Sequence, residues 1–200
     1  MISGSYAQRN QDFTYCWDHK LTQHPNGKFD KGKDVATYLP HNAVYVVGQT
    51  KGGDYHRGFV VRLEACGQGT RVKWIKYIES STGNASANAV AVDGAGFVYV
   101  AGFVHVSGEG HNVFLAKYEP EDGDIWLDEQ ACGSAAVPFF ITYDRDDQDD
   151  EAVDLAVTHD GHAFLAATTK GGEFASTDVT VMRAKKCPII VDDPTPHVEG

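Results

Sequence analysis

Ala89-Val-Ala-Val-Asp93, Gly94-Ala-Gly96 and Phe97-Val-Tyr-Val-Ala-Gly102, followed after a loop by Val113-Phe-Leu-Ala-Lys-Tyr-Glu119, form the stretch that decides the fold. Its parts recur in the same order on both sides. Ala43-Val-Tyr-Val-Val-Gly48 precedes it and His162-Ala-Phe-Leu-Ala-Ala167 follows it, so that Val44, Val98 and Ala163 lie 54 and 65 residues apart. The second motif keeps step. Gly58-Phe-Val-Val-Arg-Leu-Glu64 and Val179-Thr-Val-Met-Arg-Ala-Lys185 place Arg62, Lys117 and Arg183 at intervals of 55 and 66. Two motifs held at nearly one offset mark an internal repeat.

Two more segments complete the unit. Asp154-Leu-Ala-Val-Thr158 before His159-Asp-Gly161 repeats Ala89–Asp93, and Val35 to Leu39 is a weaker copy. A tryptophan marks the last segment, in Arg71-Val-Lys-Trp-Ile-Lys-Tyr77 and in Asp124-Ile-Trp-Leu-Asp128. Trp17, in Thr14-Tyr-Cys-Trp-Asp18, has the look of the same strand from a preceding unit. The segments are rich in Val, Ile, Phe and Tyr and are bounded by Gly, Asp and Asn, the composition of short strands and turns. Glu121-Asp-Gly-Asp124 reads as a tight hairpin. No long stretch sustains a helical period, and glycine, at 21 residues, is too frequent for helix. Four strands in about 50 residues is a propeller blade. A β-sandwich would not require the same four-strand order to recur.

The layout that follows is all-β: a propeller arc of three four-stranded antiparallel blades at residues 33–80, 87–130 and 151–193. Residues 1–32 hold the end of a preceding blade and its connection, 131–150 an acidic insertion loop, and 194–200 a tail. Propellers close with about four to eight blades. The arc is therefore expected to belong to a longer polypeptide or to be completed by another copy, because an open end exposes an apolar sheet face.

The order of these motifs resembles the SBBP β-propeller repeat family over roughly residues 33–193, with the densest match from Tyr77 to Trp126. Ala91-Val-Asp93, Val98-Tyr-Val-Ala-Gly102, Phe114-Leu-Ala-Lys-Tyr118, Trp126 and Gly48-Gln-Thr50 carry it. Ala167 stands where glycine is usual, and the connection from Ala131 to Asp150 is longer than expected. The resemblance implies a propeller on secreted or surface proteins, with scaffolding, adhesion or binding roles and no common reaction.

Composition narrows the classes. A formal net charge of −11 disfavours phosphate backbones and anionic lipid. No apolar run is long enough to span a bilayer, which excludes membrane insertion by a helix, and the first residues lack the charged and apolar regions of a secretory signal. Cys16, Cys66, Cys132 and Cys187 are too dispersed for a zinc pattern, leaving disulfides or buried thiols. Asn84-Ala-Ser86 is an N-glycosylation acceptor. With the even cysteine count it points to an extracellular or cell-surface location.

Candidate sites are few. Asp144, Asp146 and Asp150 alternate in Tyr143-Asp-Arg-Asp-Asp-Gln-Asp-Asp-Glu151 and are candidate Ca²⁺ ligands, the competing reading being a solvated acidic loop. His105 and His111 flank a Gly-rich loop without the carboxylate spacing of a metal site. The tryptophans have the repeated position expected of packing between blades rather than of sugar platforms. No catalytic residue or cofactor other than calcium is indicated, and no nucleophile elbow is present. The function expected is a non-enzymatic extracellular scaffold or adhesion module packing against other propeller blades or protein modules. The alternatives are a carbohydrate- or ligand-binding propeller using one rim and, last, a fragment of an enzyme.

Overall fold

The computed structural model describes residues 30–66, 69–128, 137–171 and 176–184. Each repeat forms one antiparallel sheet. Blade one runs β1 (Asp30–Tyr38), β2 (Ala43–Gly52), β3 (Tyr55–Cys66) and β4 (Gly69–Ile78), in that order across the sheet. Blade two runs β5 (Ala85–Val92), β6 (Val98–Val106) and β7 (Gly110–Tyr118). A two-stranded ribbon, β8 (Leu127–Asp128) with β9 (Val137–Pro138), follows, and β10 (Phe140–Tyr143) then returns to pair with β7 as the outer strand of blade two. Blade three holds β11 (Glu151–Val157), β12 (Ala163–Gly171) and β13 (Ser176–Ala184). The sole helical element among the described residues is the 3₁₀ turn Leu39–His41.

Alternation of side chains across each strand makes two apolar faces per sheet. In β12 the odd positions Ala163, Leu165 and Ala167 are buried while Phe164 is exposed. The inner strands stand side by side, β1 against β5 and β5 against β11. Between blades one and two, Tyr45, Val47, Val60 and Trp74 meet Ala87, Val90, Val100 and Phe114. Between blades two and three, Ala89, Tyr99, Ala101 and Leu115 meet Ala152, Leu155 and Leu165. For each blade the face turned toward the higher-numbered neighbour is called forward and the other rear.

The inner strands share a defect. Register slips by one residue between Gly32 and Asp34, between Ala87 and Ala89, and between Ala152 and Asp154, a bulge at one repeat position in all three blades. It aligns Asp34, Ala89 and Asp154, and likewise Val35, Val90 and Leu155.

The outer strand of blade two departs from the sequence reading. The tryptophan segment begins it, since Trp126 N–H donates to the Lys117 carbonyl at 2.8 Å and Tyr118 bridges to Ile125. The hairpin before it forms as expected, with Glu119 N–H donating to the Asp124 carbonyl at 2.8 Å around Gly123 at φ 72°. The chain then leaves through β8 and re-enters at Phe139, whose N–H reaches the Trp126 carbonyl at 2.9 Å and whose carbonyl accepts from Lys117 N–H at 3.0 Å. Phe140–Tyr143 thus belongs to a sheet rather than to a loop over 131–150. This excursion accounts for the longer second repeat interval.

Gly48 lies opposite Phe59 and Gly102 opposite Phe114, and a Cβ on either glycine would meet first a backbone carbonyl, that of Lys31 or of Ser86, and then the ring at 2.8–2.9 Å. In blade three Ala167 lies opposite Thr180, so the ring has no counterpart there.

Candidate functional site: the seams and an uncovered sheet face

The acidic segment sits where blade three enters. Asp150 is fully buried; its Oδ1 accepts from Lys170 N–H at 2.9 Å and its Oδ2 from Arg145 N–H at 2.6 Å. Burial pushes its carboxyl up to about 6, against the opposing pull of those two N–H groups. Asp144 Oδ2 accepts from Asp147 N–H at 3.2 Å, and burial holds its carboxyl above the ordinary range. Asp146 and Asp147 occupy left-handed backbone at φ 59° and 53°. Asp146 Oδ2 lies 3.9 Å from Arg145 Nε. Thus Asp144 and Asp150 turn oxygens onto backbone N–H groups, and Asp146 faces a guanidinium. Among the described residues no three His, Cys, Asp or Glu side chains stand together in a metal-holding arrangement.

His105 and His111 face each other across the β6–β7 hairpin, with rings 6.0 Å apart. His111 Nδ1 reaches Glu151 at 3.3 Å, and its backbone N–H donates to Asp149 at 3.1 Å. These contacts tie the hairpin tip of blade two to the start of blade three.

The tryptophans and the repeated basic residues lie in the seams. Trp74 is buried, stacks at a tilt on Tyr45 at 5.9 Å and donates Nε1–H to the Pro120 carbonyl of blade two at 3.0 Å. Buried Arg62 donates to the same carbonyl. Lys117, also buried, rests its ammonium 4.1, 5.1 and 4.0 Å from the rings of Phe97, Tyr99 and Trp126, and 4.0 Å from Asp93 Oδ2. Asp93 is held in turn by the N–H groups of Ala95 and Phe97 at 3.0 Å each. The Tyr99 hydroxyl lies 3.3 Å from Asp93 and 3.2 Å from the Gly161 carbonyl of blade three, and burial with the adjacent carboxylate pushes its ionisation upward. The sequence marked Arg62, Lys117 and Arg183 as repeat markers; the structure makes the first two pillars of seams. Arg183 instead lies over Phe164, 5.7 Å from its ring, on a face that no blade among the described residues covers.

Polar latches cross both seams beside the bulges. Asp34 Oδ1 accepts from Val35 N–H at 2.7 Å and its Oδ2 from Val90 N–H of blade two at 2.9 Å, while Lys33 Nζ donates to Asn88 at 2.6 Å. At the second seam Asn88 Nδ2 donates to the Ala152 carbonyl at 2.8 Å.

The forward face of blade three repeats that of blade two in register. Ala101 pairs Leu115 as Ala166 pairs Val181, and Tyr99 pairs Lys117 as Phe164 pairs Arg183. Yet Phe164, Val179 and Val181 are 38%, 82% and 72% exposed. Sequence reasoning expected an open end but did not single out these residues. The signal was available in their homology to Tyr99, Val113 and Leu115.

Of the remaining candidates, Asn84 is exposed, its Oδ1 accepting from His56 N–H at 2.9 Å. Cys66 ends β3, whereas Cys16, Trp17, Cys132 and Cys187 lie outside the described residues.

No curated protein matches the chain. The model of the SBBP beta-propeller repeat matches residues 73–102, from the tryptophan strand of blade one to the glycine that ends the Val98–Gly102 motif. That span crosses the first seam, so the sequence unit is out of phase with the blade: it joins the outer strand of one sheet to the two inner strands of the next. Residues 73–102 are thus similar to an SBBP-type propeller repeat, and the chain is all-β, with three antiparallel sheets in repeated register as in propeller blades.

Proposed function

We propose that the chain is a non-enzymatic scaffold or adhesion module, extracellular or at a cell surface, that works by packing against other propeller blades or protein modules. The observation that carries the reading is the difference between two homologous faces. Tyr99, Val113 and Leu115 are buried under blade three, whereas Phe164, Val179 and Val181 face solvent. Contiguous exposed apolar surface of this kind marks an interaction site. The seam tryptophans are spent on packing, which favours a protein partner over a sugar. The exposed Asn84, with its Oδ1 already engaged, leaves its amide nitrogen open for a glycan and supports the compartment.

The test has two arms. Protease applied to intact cells should remove the chain, and survival of the chain until the cells are lysed would sink the extracellular placement. Replacing Val179 and Val181 together by Glu should leave the fold intact and abolish incorporation of the chain into larger assemblies. Assembly that persists in this variant would remove the blade-three face from the reading, and retention on immobilised glycans instead would favour a sugar-binding rim.

A further inference from the structure

Blade three carries half of a latch whose complete form is seen at the first seam. Asp34 stands one residue past the bulge of β1, gives Oδ1 to the following N–H and Oδ2 to Val90 N–H of the next blade. Asp154 stands one residue past the bulge of β11 and gives its Oδ1 to the following N–H, that of Leu155, at 2.8 Å. The two carboxylates match in position, in strand and in their first hydrogen bond. Asp154 is exposed, so its second oxygen meets water on the side where Asp34 meets a blade. Ala89, at this position in blade two, has no such group, and Asn88 bridges the second seam instead. The latch is thus present in the first and third blades and absent from the second.

Cover on the far side argues against a head-to-tail second copy. The rear face of blade one presents Phe59, Val61 and Leu63, all buried already. The forward face of blade three is open and continues a seam built twice within the chain. Resting on the reading above, we infer that this face receives the rear face of a further blade of the same repeat type, and that Asp154 fixes its register by accepting the backbone N–H that follows the incoming blade's own bulge. The incoming blade presents small or aliphatic side chains where blade three presents Ala152, Leu155, Ala163 and Leu165 to blade two.

The experiment uses the full chain, alone and extended at its C terminus through a flexible linker by a second copy of residues 79–143, whose rear face is known to accept Asp34. Hydroxyl-radical footprinting reads Phe164, Val179 and Val181, with Met182 on the rear face as reference. The extension should slow modification of those three side chains and leave Met182 unchanged. The amide corresponding to Val90 in the added copy should exchange about tenfold faster with Asp154→Ala, the equivalent of one hydrogen bond. Asp154→Asn should fall between, because at Asp34 the two N–H groups are met by two different carboxylate oxygens and the amide has one acceptor oxygen. If the three side chains are protected but Asp154→Ala changes nothing, the latch is wrong while the face remains a docking surface. Unchanged footprints in the extended chain overturn both. Concentration-dependent protection in the unextended chain makes the occupant a second copy and overturns the inference. A control independent of the extension is Asp34→Ala in the natural chain, which should accelerate Val90 exchange. Failure to do so overturns the latch whatever the added copy does.

Discussion

Tyr99, Ala101, Val113 and Leu115 of blade two occupy the positions that Phe164, Ala166, Val179 and Val181 occupy in blade three, with the same strand partners. One set lies in a dry seam and the other largely in water. The four positions are apolar in both sets, and they differ in whether a described sheet lies against them. An apolar alternation therefore specifies that a face can be covered, while the next repeat decides that it is. The basic residue at the end of each row reports the same contrast. Lys117 is enclosed by three rings and a carboxylate, whereas Arg183 keeps one ring and faces solvent.

The largest effects are expected inside the seams. Trp74→Ala removes a buried indole and leaves the Pro120 carbonyl short of one donor, and should cost about 3–5 kcal/mol in urea unfolding. Leu165→Ala, on the rear face of blade three, should cost about 2–5 kcal/mol. A loss below about 1 kcal/mol for Leu165 would mean that blade three does not seat on blade two, and the contrast between the faces would dissolve.

Next comes the paired basic position. Lys117→Met keeps length and apolar bulk but leaves Asp93 buried beside no cation, and should cost about 3 kcal/mol. Arg183→Met should cost within about 0.5 kcal/mol, as for an exposed residue. Equal costs at the two positions would show that Arg183 is also enclosed.

The repeat order, the strand identities and the Glu121–Asp124 hairpin were legible because each is local: a period of two, turn residues at fixed offsets, and motifs that recur in step. The outer strand of blade two was not. The strand itself is split by the excursion between Leu127 and Pro138, and nothing in Phe140–Tyr143 distinguishes an edge strand from a loop until the ladder to β7 is seen. The acidic segment was legible only as a run of alternating carboxylates. Alternating carboxylates suggest a cation, but Asp144 and Asp150 turn toward N–H groups brought in by the chain around them, Lys170 from another strand. Asp154 stood in the repeated segment, but the blade-one copy was read from Val35, one residue past Asp34, and the equivalence of the two carboxylates depends on a bulge that sequence does not announce.

Asp150 sharpens the comparison through pH, because its backbone and side chain hold the seat of blade three: Asp150 N–H donates to the His111 carbonyl of blade two while its carboxylate accepts from the N–H groups of Arg145 and Lys170. A carboxyl raised to about 6 in the folded chain binds its proton more tightly there than when unfolded. Its contribution is therefore most favourable below the unfolded value, declines as pH rises through about 4 to 6, and is level above that. Asp150→Asn should remove this decline, so that Tm at pH 7 less Tm at pH 4 is larger in the variant than in the unmodified chain. At pH 7 it should also cost about 1–3 kcal/mol, since the amide NH₂ faces an N–H that the carboxylate accepted. An unaltered pH dependence would place the titration elsewhere.

The smallest effect carries the most weight for the open face. Val181 is 72% exposed in the middle of β13, two pairs along the ladder from the pair that holds Phe164. Val181→Thr keeps the β-branch and so the strand preference, exchanging one methyl group for a hydroxyl. In water that hydroxyl is solvated, and the change in unfolding free energy should stay within about 0.5 kcal/mol. Under a covering blade the same hydroxyl would lose its water and cost about 1–3 kcal/mol. The homologous Leu115→Thr supplies the covered reference, where loss of aliphatic volume adds to that penalty. Measured on the chain alone, a neutral Val181→Thr beside a costly Leu115→Thr keeps the two faces apart. Measured in an assembly, a cost that appears at Val181 would report the arrival of the missing neighbour, because the hydroxyl registers the loss of water and nothing else about the sheet has changed.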